Sequence, residues 1–225
     1  MLMAMLEAGG YPVLKDASRP ANAHNPGGYH EYAPVRASRR NPSWVAQAAG
    51  RAVKVVAPLL PWLPADRPYR VIFIVRDVLE VAVSQRRMLE GGTPAATEAD
   101  RRMAGILARQ LRELCTWVRS SGHLEVLWVG HRAVLRDPEG QSGRIGAWLG
   151  GGLDASAMAG VVRSGWWRNR RPHIKEKFPV ICNKGLFPYI IPGTDLAVRS
   201  ADAAPRDVPA SAADSAPALL RGQLD

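Results

Sequence analysis

Two stretches with opposite periodicities organise the chain. RVIFIV (Arg70–Val75) is a near-continuous run of Val, Ile and Phe, the pattern of a strand covered on both faces. In residues 97–119, Met103, Ile106, Leu107, Leu111, Leu114 and Val118 recur at helical spacing, with Thr97 placed to cap the N-terminus. Residues 52–57 and 124–129 read as further buried strands, and Tyr11–Leu14 as a short one. A helix follows the 70–75 strand from Val78 towards Leu89, and residues 1–8 form another, stopped by Gly9 and Gly10. Asp137 and Pro138 supply an N-cap and a first helical position for a helix that ends at Leu149, and Asp154 caps a last one through Val162. Strands alternating with helices predict a doubly wound α/β sheet with right-handed crossovers, in which the 52–57, 70–75 and 124–129 strands lie side by side and parallel.

Residues 16–31 are rich in Pro, Gly, Asn and Asp, which predicts a long surface loop. The segment 163–191 is basic and aromatic with little periodicity, and beyond Pro192 the composition turns to Ala, Pro, Asp and Ser, as in a disordered tail. The domain reading is therefore an α/β domain over 1–172, a basic extension over 173–191 and a tail over 192–225.

Composition adds one constraint. Thirty Lys and Arg against 20 Asp and Glu give a net charge of +10 over 225 residues, which favours anionic partners. Arg residues interleaved with Trp in RSGWWRNRR (163–171) invite a nucleic-acid reading, but no nucleic-acid module signature is present, and a solvated basic face accounts for the stretch. The first residues lack the basic flank of a signal peptide, and no apolar run reaches membrane-spanning length, so the expected location is the cytoplasm. Cys115 and Cys182 match no metal spacing, and Cys115 on its amphipathic helix reads as a packed free thiol. No metal is expected.

In open α/β sheets, ligands bind where strands end and helices begin. Arg76 stands at the end of the 70–75 strand, and Ser84 lies inside the helix that follows. A guanidinium fork and a hydroxyl can converge there on one phosphate. Spacing alone leaves two readings: that phosphate site, or a strand-capping Arg and a small residue packing its helix.

The stretch AVKVVAPLLPWLPADRPYRVIFIVRDVLEVAVSQRRM (52–88) resembles the PAPS-dependent sulfotransferases. That family pairs a K-T-H-L-P strand segment with a downstream R-N-P-x-D-x-x-x-S motif. Here Lys54 opens KVVAPLL, and RDVLEVAVS runs from Arg76 to Ser84 with the same Arg-to-Ser spacing. MLEAGGYPVL, NPGGYHE (Asn25–Glu31) and LEVLWVGHRAVLRDPEG are similar to other family elements, so the resemblance covers about residues 1–170. It implies a P-loop-like, doubly wound, mostly parallel sheet flanked by helices. It also implies 3′-phosphoadenosine-5′-phosphosulfate (PAPS) as co-substrate. Arg76 and Ser84 would hold its 3′-phosphate, and Lys54 would lie near the transferred group.

Two departures accompany the resemblance. The family's P-x-S-G-T loop, which cradles the 5′-phosphosulfate, has no counterpart, and Met1 already falls in the helix that follows it. The expectation is an N-terminally truncated sheet whose inner strands lack a pairing partner, of marginal stability and with little or no transferase activity. Secondly, Val56 stands where many members carry a catalytic His. A general base would then come from Glu31 or His30, with Glu31 ahead because some relatives use a carboxylate. Three functions remain: sulfuryl transfer to a small-molecule or peptide hydroxyl or amine, non-catalytic binding of 3′-phosphorylated adenine nucleotides, and, last, Arg-rich nucleic-acid binding.

Overall fold

The computed structural model describes residues 1–22, 25–91, 93, 95–163, 165 and 186–192. The chain forms an α/β domain around one five-stranded sheet, with helices on both faces. Its strands are β1 (Val13–Leu14), β2 (Ala52–Lys54), β3 (Tyr69–Val75), β4 (Leu124–Gly130) and β5 (Leu186–Pro192), in spatial order β1-β2-β5-β3-β4. β1 and β2 pair in parallel, as do β3 and β4. β5 runs antiparallel to both β2 and β3, so the other four strands share one direction and end at one edge.

This corrects the expected arrangement in two respects. The 52–57 and 70–75 strands are not neighbours, because β5 lies between them with Lys54 opposite Tyr189 and Ile72 opposite the same residue. β5 comes from the segment read as a basic extension, whose prolines obscured it: Pro188, which has no N–H to give, stands opposite Phe73. The inner edges of β2 and β3 therefore have a pairing partner, contrary to the expectation of unpaired strands. β2 is also shorter than expected, since Pro58 starts a 3-10 helix at Ala57–Trp62.

β3 is buried on both faces as its composition demands, with Val71, Ile72 and Phe73 inaccessible to solvent. Tyr69, Val71 and Phe73, with Val53, pack against Trp44 and against Leu111, Leu114, Trp117 and Val118 of α3 (Glu98–Ser120). Ile72 and Ile74, with Ala52 and Val129, pack on the other face against α1 (Leu2–Ala8), Val134, Ile145 and Met158. The helix starts follow local chemistry. Thr97 Oγ1 accepts from the Asp100 amide while the Asp100 carboxylate accepts from the Thr97 amide, a reciprocal cap for α3. Asp77 caps α2 (Val78–Glu90), accepting from the Leu79 and Glu80 amides. The N-terminal part of the α3 stripe is not core: Met103 and Ile106 are exposed there, because that end of the helix packs only on α2 through Ala104 and Leu107.

α4 (His131–Arg136) starts directly where β4 ends, an element the sequence pattern did not mark, and α5 (Pro138–Trp148) and α6 (Ala155–Gly160) complete that face. Cys115 is buried but disulfide-bonded, which overturns the free-thiol reading; Cys182 lies outside the described residues. Disulfides are uncommon in the cytoplasm, so this bond gives the expected location no support. No helix among the described residues is long and apolar enough to cross a membrane. The tail over 193–225 and most of the basic stretch 163–177 fall outside the described residues.

A candidate anion site at the carboxyl edge of the sheet

All four parallel strands end at one edge, and each is followed there by basic side chains. β2 ends at Lys54, β3 is followed by Arg76, and β4 is followed by His131 and Arg132. Alternation along the strands assigns Lys54, with Ala52, and Arg76, with Ile72 and Ile74, to the sheet face covered by α1. Lys54 is level with Ile72 two strands away, and Arg76 lies four residues further on. Their backbones are thus about 10 Å apart across the sheet and about 13 Å along it.

Around Arg76 the site is built on one buried carboxylate. Glu80 is 1% exposed, one helical turn into α2. Its Oε1 accepts from Arg132 Nη2 at 2.6 Å, and its Oε2 faces Arg76 Nε at 3.7 Å, an ion pair too long for a hydrogen bond. Arg76 Nε is itself buried without a hydrogen-bond partner, so the guanidinium has donor capacity left over. Burial lowers the pKa of Arg76, and the charge of Glu80 partly offsets this. His131 sits beside them. Burial, then the charges of Arg76, the Met1 amino group and Arg132, push its imidazole down to about 3, so it is neutral at pH 7. Ser84 is half-buried one turn beyond Glu80, on the same side of α2.

Lys54 and Glu31 meet at the end of β2. Asp16 and Glu31 close the 16–31 loop through a backbone hydrogen bond of 2.9 Å, which holds Glu31 over the end of β2. Lys54 Nζ donates to the Tyr29 carbonyl at 3.1 Å and lies 3.4 Å from Glu31 Oε1. Two further cations share that carboxylate: Arg19 at 3.2 Å and Arg36 at 2.8 Å. Burial alone would raise the Glu31 carboxyl, but the Arg36 hydrogen bond and the charges of Lys54 and Arg19 outweigh it and leave the pKa below its ordinary value. A carboxylate held low is a weak proton acceptor, which counts against Glu31 as general base. Burial likewise lowers Lys54, and Glu31 partly restores it.

His30, the other candidate base, has φ +47°, a left-handed conformation uncommon for a residue with a side chain. Its Nε2 lies 3.0 Å from the Gly27 carbonyl and so carries the proton in the neutral ring, which leaves Nδ1 as the basic nitrogen. Burial is the main cause of its lowered pKa. Nδ1 lies 4.0 Å from Glu7.

Of the four residues singled out from sequence, Lys54 and Glu31 are thus in contact, whereas Arg76 contacts Glu80 and Ser84 lies one turn further along α2. Sequence reasoning missed Glu80, His131 and Arg132, and also Arg19 and Arg36. Two signals could have found the first three. Glu80 occupies the acidic position of R-N-P-x-D-x-x-x-S, and His131-Arg132 directly follow a buried-type strand. No family model, curated protein or solved structure matches the chain.

Proposed function

We propose that this chain is a sulfotransferase-like protein that binds a 3′-phosphorylated adenine nucleotide, PAPS or adenosine 3′,5′-bisphosphate, along the carboxyl edge of its sheet. The carrying observation is the placement of Arg76, a half-buried guanidinium at the carboxyl end of β3 whose Nε is turned towards Glu80 at 3.7 Å. The terminal N–H groups of its fork would receive a phosphate oxygen, and the Ser84 hydroxyl would add a donor. The distance from Arg76 to Lys54 suits a ligand with anionic groups at both ends, one near each cation. The finer reading of the fold, a P-loop-like doubly wound sheet, belongs to this proposal. Four parallel strands and helices on both faces support it, and the antiparallel β5 departs from it.

When bound, PAPS supplies an activated sulfuryl group for transfer to a hydroxyl or amine. The chain's own residues position it. Lys54 places a positive charge at the end of β2, where it can stabilise charge on the leaving phosphate. Glu31 orders Lys54 and two arginines more readily than it takes a proton, and Val56 occupies the position of the family's His. These two features favour a second reading, a binder of the nucleotide without transferase activity.

Calorimetric titration separates these from other functions. Adenosine 3′,5′-bisphosphate should bind more tightly than AMP, and Arg76→Ala should remove about 2–3 kcal/mol of that preference, the value of a charge-assisted contact. Ser84→Ala should remove less, about 1 kcal/mol. Equal affinity of the unmodified protein for the two nucleotides would sink the proposal. Turnover of PAPS with any acceptor would exclude the non-catalytic reading.

A further inference from the structure

A second feature of the edge concerns the pocket beside Lys54, of about 530 Å³, lined by the 16–36 region and the end of β2. Cavities of this size hold one small organic ligand. Its polar wall carries Arg19, Arg36 and Lys54 against a single carboxylate, Glu31, a balance of three positive charges to one negative. Asp16, whose carboxylate accepts from the Ala33 amide, faces Arg36 from the loop, and counting it still leaves an excess of one positive charge. The guanidinium carbon of Arg19 lies 3.6 Å from the centre of the Tyr29 ring, a contact that orders the side chain before any ligand arrives. The rest of the lining is mainly apolar: Val35, Val56, Leu59 and Tyr32, with Ser18.

We propose that this pocket binds an organic carboxylate with an aromatic body, the carboxylate on Arg19 and Arg36 and the ring against Val35, Val56 and Leu59. The charge excess excludes cationic ligands and disfavours neutral ones, while the apolar wall makes a bare inorganic anion a poor fit. Glu31 orders both guanidiniums and leaves donors on each for the incoming carboxylate, since an arginine side chain carries five N–H groups. The inference rests on the sulfuryl-transfer reading in one respect only: if that reading holds, such an anion bearing a hydroxyl or amine is the class of acceptor.

The test uses the full chain without nucleotide and two probes of nearly equal shape, 3-(4-hydroxyphenyl)propionate and its methyl ester. Calorimetry or ligand-observed NMR should show the carboxylate binding at least tenfold more tightly than the ester, with affinity falling as salt is raised. Arg36→Gln, at a residue whose side chain is 65% exposed and whose loss leaves the core intact, should weaken the carboxylate about tenfold and leave the ester unchanged. Arg19→Gln should act in the same direction. Equal binding of acid and ester, binding of neither, or an unchanged carboxylate affinity in Arg36→Gln would overturn the inference. Because no nucleotide is present, these results are independent of the Arg76 titration, and either proposal can fail without the other.

Discussion

Replacing Glu80 by Gln should destabilise the protein by about 3–5 kcal/mol, one of the largest single-residue effects expected in this chain. The carboxylate is 1% exposed and is the shared counter-charge of Arg132 at 2.6 Å and Arg76 at 3.7 Å. A neutral amide can still accept a hydrogen bond from Arg132, but it removes the one negative charge that Arg132 and the half-buried Arg76 share. Against a typical total stability of about 5–15 kcal/mol, that loss is a large share. The pair also ties the start of α2 to the start of α4, so the strand ends that carry the site would lose their common anchor. Urea denaturation of the two proteins at pH 7 measures the effect. The double variant Glu80→Met with Arg132→Met should recover much of the loss, as replacement of a buried pair by apolar residues often does. A Gln variant as stable as the parent would show that Glu80 bears no such burden.

Acidification should produce a second large effect through His131. Its folded-state pKa, about 3, lies well below the ordinary 6.5. Between those two pH values the unfolded chain binds a proton that the folded chain excludes. Stability from this group is therefore fully present above pH 6.5 and falls as the pH drops, by about 1.4 kcal/mol per unit. By pH 4.5 the loss should be on the order of 3 kcal/mol. His123 and His30 are lowered in the same direction, and paired carboxylates such as Asp100 add to acid sensitivity, so the total slope is not specific. The difference between the parent and His131→Asn isolates the one residue. The variant should lose markedly less stability between pH 7 and pH 4.5. Identical losses in the two proteins would mean that His131 is not held neutral by its neighbours.

What could be read in advance follows from how local each feature is. β3 and α3 were legible because burial on two faces, or on one stripe, is written into consecutive residues, and the Thr97, Asp137 and Asp154 caps are set within four positions; β4 was legible as a strand, but as an edge strand it buries only Leu127 and Val129. β5 was not, because LFPYIIP contains prolines that argue against a central strand, and its place depends on a gap between β2 and β3 far away in sequence. The exposed start of the α3 stripe misled for the opposite reason: periodicity says which residues share a face, and only packing says what covers it. At the site, Arg76 and Ser84 were marked by the strand-end rule and a motif, and Lys54 and Glu31 by resemblance. Arg19 and Arg36 carry no sequence signal, since each is one of 25 arginines until the loop folds back and brings both onto Glu31. Glu80 stands between these cases: the motif marks its position, but only the fold shows that β4 delivers Arg132 to it.

The central claim is that the edge formed by Arg76 and Ser84 receives the 3′-phosphate of an adenine nucleotide. A crystal structure of the protein with adenosine 3′,5′-bisphosphate tests this most directly. The account predicts the 3′-phosphate within hydrogen-bond distance of the Arg76 guanidinium and the Ser84 hydroxyl, with the 5′-phosphate directed towards Lys54. A nucleotide bound elsewhere, or one whose 3′-phosphate points to solvent while Arg76 stays on Glu80, would contradict it.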